Sequence, residues 1–119
     1  MNANALNRLT HYRAAAAQNL KEARETLAAD AQPPRTTAAH DLARVLALLA
    51  QYEGQLHVLD QVLALVEAGK DDQINAWLVT QATRGAEDTW SGRTNDAARS
   101  RFDGVLDAVR KVSETLAAF

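Results

Sequence analysis

Glu53, His57 and Asp60 are the residues whose types and spacing come nearest to chemistry. At i, i+4 and i+7 of a helix they fall on one face, with Glu67 two turns further on, and an imidazole among carboxylates is a donor set suited to zinc, manganese or iron. A di-iron bundle would also require a second helix carrying a Glu-x-x-His pair, which the chain does not supply. The apolar residues of the same segment occupy its other side. The competing expectation is therefore that the three face solvent and that Glu53 and His57 form an ordinary helix-surface pair. His11 and His40 lie near helix beginnings, without the Ser, Asp or Glu companions of a nucleophilic triad. With no cysteine, thiolate metal sites, Cys nucleophiles and disulfides are all excluded. No catalytic site and no cofactor is expected from this sequence.

Charge narrows the partners. Thirteen Lys and Arg against fifteen Asp and Glu leave a formal charge of -2, which gives no field for polyanions. Arg84, Arg93, Arg99 and Arg101 cluster in sequence, but Glu87, Asp88, Asp96 and Asp103 are interleaved with them and cancel most of their potential. Neither nucleic acid nor a membrane is an expected partner. Residues 1–13 lack a signal-peptide core, and the longest apolar run, Leu42 to Ala50, contains Arg44 and is too short to span a bilayer. A soluble, cytoplasmic protein is the expectation.

The elements that would position these residues are all helical. Alanine is abundant, aromatics are few, and no window shows sustained period-two alternation. A first helix over about 4–30 places Leu6, Leu9, Ala16, Leu20, Ala23 and Leu27 on one stripe, with Arg13 in the missing place. Pro33 and Pro34 end it in a stiff elbow. A second helix over 37–68, capped by Thr36 or Thr37 and closed by Gly69, carries Leu42, Val45, Leu49, Tyr52, Leu56, Leu59, Leu63 and Val66. A further row of Leu48, Val58, Val62 and Leu65 widens its apolar face beyond what one neighbour can cover. At a rise of about 1.5 Å per residue this central helix is on the order of 45 Å long, so the molecule should be elongated. Asp71 and Asp72 offer caps for a third helix over 72–88, with Ile74, Trp77, Leu78 and Ala82 inward. A fourth over 95–118 aligns Ala98, Phe102, Val105, Val109, Val112, Leu116 and Phe119. Short connections imply antiparallel succession, and the reading is one all-α domain over 1–119, an elongated up-down-up-down four-helix bundle.

Between the last two helices lies Trp90-Ser91-Gly92, followed by Asp96, Ala97 and Phe102. This stretch resembles the Trp-x-Gly turn and following helix of the WXG100, or ESAT-6-like, proteins exported by type VII systems. The resemblance covers about the last quarter of the chain and implies a turn built on Trp90 and Gly92, pairing with a partner hairpin, and type VII export. Three helical segments precede the turn here instead of one. The only tyrosines, Tyr12 and Tyr52, leave no counterpart of the family's C-terminal Tyr-x-x-x-Asp/Glu signal. From the residues alone, Trp90 plugs a bundle end and Gly92 supplies backbone freedom.

Long amphipathic stripes without a convergent polar pocket point to a protein that works by contact, as an adaptor, chaperone, inhibitor or assembly subunit. A homodimer is a natural extension, since the second helix has more apolar surface than its neighbours need. Leu20, Leu27, Val109, Leu116 and Phe119 are the candidate interface residues on the first and fourth helices.

Overall fold

A computed structural model describes residues 1–30, 39–90 and 96–119, with the side chains of 30, 39–41 and 88–90 left aside. Four helices make up the described chain: α1 Ala3–Asp30, α2 Ala39–Glu67, α3 Ile74–Trp90 and α4 Asp96–Ala118, with one 3₁₀ turn, Asp71–Gln73, leading into α3. No strand occurs among the described residues. The double-proline elbow, the Thr36 or Thr37 cap and the Ser91-Gly92 turn lie outside them.

Directions follow from side-chain pairs. Arg13 meets Asp60 and Arg24 meets Glu53, so α1 and α2 are antiparallel. The Arg8 guanidinium sits 5.2 Å from the Phe119 ring centroid and the Lys111 ammonium 5.6 Å from that of Tyr12, so α4 also opposes α1. The α2 and α4 helices therefore run parallel, as an up-down-up-down course requires. They form the most extensive contact in the molecule, followed by that of α1 with α2. Extents of 51 × 34 × 22 Å give the elongated shape. The sequence makes α2 the hub, and it is, but its principal neighbour is α4 and not α3, which follows it in the chain. The α3 helix lies chiefly on α4.

Two glycines bring α2 and α4 together. A Cβ at Gly54 would fall within 3.0 Å of the Arg101 carbonyl oxygen, and one at Gly104 within 3.0 Å of the Gln51 backbone, spacings that real Cβ atoms essentially never show. Ala50 and Ala108 continue the shallow stripe on either side, and both are buried. At this crossing main chain packs on main chain. Around it the core collects Leu9, Ala16, Val58, Leu59, Val62, Ile74, Leu78, Val105 and Val112, supplied by all four helices. Each of these removes apolar surface from water, and truncating a fully buried one such as Leu9 to alanine costs about 2–5 kcal/mol.

Local boundaries obey helix-end chemistry. Gly69 takes φ +73°, and the Gly69 and Lys70 amides donate to the Val66 and Leu65 carbonyls in the paired pattern of a Schellman ending. The sequence assigns capping to Asp71 and Asp72. Instead they lie within the 3₁₀ turn, which Lys70 precedes without any side-chain capping bond. The helix α3 also runs through Trp90, two residues past its expected end, so Trp90 belongs to the helix and not to the turn. On α4 the buried positions are Gly104, Val105, Ala108, Val112 and Thr115. The expected seam is thus broadened toward the small residues that meet α2, and Thr115 satisfies its hydroxyl by donating to the Lys111 carbonyl at 2.7 Å.

Alanine at Gly54 or Gly104 should lower stability in urea unfolding followed by circular dichroism by at least about 2 kcal/mol each, because the added methyl meets backbone that cannot rotate away. Gly85→Ala should cost less, since there the obstacle is the Phe102 ring, a side chain free to turn. Equal losses at all three would show that the α2–α4 crossing is not specially constrained.

Candidate interaction surfaces

The residues with the best spacing for chemistry do not converge. Asp60 accepts from Arg13 Nε at 2.7 Å, and Glu53 lies 3.8 Å from Arg24. The His57 ring stacks at a tilt on Trp77 of α3, with centroids 6.1 Å apart. All three are half-buried and not freely solvent-facing, because α1 and α3 close in on either side of that face of α2. Among the described residues, no group of three or more His, Asp or Glu side chains is placed to hold a metal ion. The i, i+4, i+7 pattern is used to bind neighbouring helices: two carboxylates receive arginines from α1 while the imidazole packs on an indole. His11 is exposed, and the side chain of His40 lies outside the described residues.

A polar junction centred on Asp107 joins α4 to α2. Asp107 of α4 accepts from Gln55 of α2 at 3.0 Å, from Arg110 at 2.7 Å and from Lys111 at 3.0 Å, with its own side chain 25% exposed. Lys111 in turn lies over Tyr12 of α1. Arg110 and Lys111 are its i+3 and i+4 neighbours on α4, whereas Gln55 comes from α2 and is brought to it only by the fold.

The expected interface residues separate. Leu20 is corrected outright: at 4% exposure it is core, closed between α1 and α2. Leu27 is half-buried near the end of α1. Val109 lies in a groove between α3 and α4, and Leu116 with Phe119 edges a small cup against Ala5 and Ile74. They form no single face. Phe119 is 45% exposed, so the α4 seam is not sealed at its end. The side chain of Trp90 and the whole of Gly92, on which the WXG100 resemblance rests, lie outside what the structure describes.

A different apolar surface stands open. From Leu42 to Leu49 every residue of α2 except Arg44 is apolar, yet none is buried, and burial begins only at Ala50. Leu46 is 50% exposed and lines a shallow cleft of about 240 Å³ with Ala43, Ala47, Asp96, Ala97 and Ser100. The α1 and α4 helices cover α2 well around Val58 and Val62 but incompletely here. Leu46 belongs to neither apolar row read from the sequence, and Val58 and Val62 of the second row are fully buried, so the opening over Leu42 to Leu49 is a tertiary fact.

No known protein family, curated protein or solved structure matches the chain. No described helix is long and apolar enough to cross a membrane.

Asp107→Ala should destabilise the protein by about 1 kcal/mol in urea unfolding, because Gln55 loses its acceptor at a partly buried contact while Arg110 and Lys111 remain open to water. Asp60→Ala should cost under about 1 kcal/mol, since its ion pair with Arg13 is nearly half exposed on both sides. Adding zinc or manganese should leave the melting temperature unchanged; an upward shift would show that Glu53, His57 and Asp60 gather about an ion after all.

Proposed function

We propose that this protein is a non-enzymatic helical interaction module, an adaptor, chaperone, inhibitor or assembly subunit, that acts through apolar helix surface left open by its own bundle. The observation that carries this reading is the stretch of α2 from Leu42 to Leu49, apolar apart from Arg44 and without a buried residue. A water-facing helix of a self-sufficient bundle carries polar residues on its outer side, so an apolar one is selected by something that covers it. The polar groups nearest to a reactive constellation are engaged in ion pairs and ring packing between helices. An amphipathic helix of a partner, laid along α2 with apolar residues over Leu46 and Leu42, is the recognition mode that suits this surface.

Leu46→Asp tests the reading. Because Leu46 is half exposed, the variant should keep its helicity and melting temperature while losing a partner that the wild-type protein retains in comparative affinity capture from its native cell. An identical set of captured proteins for both forms would remove α2 from the contact.

A further inference from the structure

We propose that the outer face of α3, with the groove it forms against α4, is the site where a second copy of this chain docks, α3 packing antiparallel on its own counterpart across a two-fold axis. This inference stands apart from the Leu46 surface, with which it shares no residue.

Charge singles out the face. Between Asp72 and Arg84 the chain has no charged residue, although 24% of its residues are charged overall. That stretch is not hidden. Asn75, Ala76, Val79, Thr80 and Thr83 are exposed, and Val79, at 64%, is the most open of the large apolar side chains. The contrast with α1 is direct, since Arg8, Arg13, Lys21, Glu22, Arg24 and Glu25 occupy its exposed positions, as solvated helices ordinarily require. Beside Val79 runs a groove of about 370 Å³ floored by Leu78, Ala82 and Val109 and edged by Asn75, Thr83 and Ser113.

The same chemistry selects the occupant. A charged partner finds no complement on this surface. A two-fold contact sets a patch against itself, so any net charge in it is repelled by its own copy, and a neutral patch escapes that penalty. Its polar edge is self-complementary as well: with Val79 on the axis, positions equidistant from it meet, so the amide of Asn75 faces the hydroxyl of Thr83 of the copy on both sides, and each of these groups can donate and accept, which carboxylates and ammonium groups cannot do. Short side chains at Ala76, Thr80 and Thr83 let two α3 helices approach closely, and Val79, at the middle of the neutral stretch, then faces Val79 of the copy.

Light scattering and sedimentation of the full chain, from the micromolar range into the hundreds of micromolar, should return twice the 12.9 kDa chain mass. Val79→Lys and Val79→Glu should each return the single-chain mass with helicity and melting temperature preserved, because Val79 is not part of the core. An equimolar mixture of V79K and V79E should recover the doubled mass, since residue 79 opposes its own copy across the axis. L46D should remain doubled. A wild-type chain that stays at 12.9 kDa throughout overturns the proposal, as does a V79K variant that keeps the doubled mass, or a V79K and V79E mixture that fails to reassociate.

Discussion

The contact of α2 with α4 at Gly54 and Gly104 governs the rest of the molecule. Where two helices meet backbone to backbone, dispersion attraction is dense and every substituent on either crossing residue is excluded by the other main chain. The parallel pairing of these helices follows from the up-down-up-down course, but their closeness follows from the glycines and from Ala50 and Ala108 on either side. A pair so close leaves room for one further layer on each flank. The α1 helix takes one and α3, resting on α4, takes the other.

This placement accounts for which surfaces remain open. With α3 drawn onto α4, α2 keeps full cover only where α1, α4 and the start of α3 surround it, around Val58, Leu59 and Val62. Toward its N-terminus the same helix, no less apolar, is half bare. The outward side of α3 bears Val79 and threonines where α1 bears arginines and glutamates. Both open surfaces are thus consequences of how the four helices divide the space around one close crossing.

Polar side chains hold the layers in register instead of forming a site. Asp60 and Glu53 take arginines from α1, His57 packs on Trp77, and Asp107 ties α2, α4 and, through Lys111 and Tyr12, α1. Exposed pairs of this kind add little stability individually. Their value lies in orientation: an antiparallel α1 is the arrangement that lets Arg13 and Arg24 both find acidic partners on α2.

Much of the architecture was legible in the residues, because periodicity and helix-end chemistry are local properties. The apolar spacings located four helices with boundaries displaced by two residues or fewer, Gly69 closed α2 as its conformational freedom suggests, and Ile74, Trp77, Leu78 and Ala82 turned inward as their spacing requires. The antiparallel course and the central place of α2 were legible too, but the closest pairing, α2 with α4, was not. Leu20 was placed on a surface and is core, Glu53, His57 and Asp60 gave no sign that they meet α1 and α3 while staying partly open to water, and Gly54 and Gly104, fifty positions apart, gave no sign of meeting. A stripe states that a helix must be covered along one side and leaves open by what. The sequence by itself determined the helices and their greasy faces through short-range sterics and hydrophobic periodicity; only the tertiary structure decided which of those faces were satisfied, because cover depends on shape-matched contacts between residues far apart in the chain.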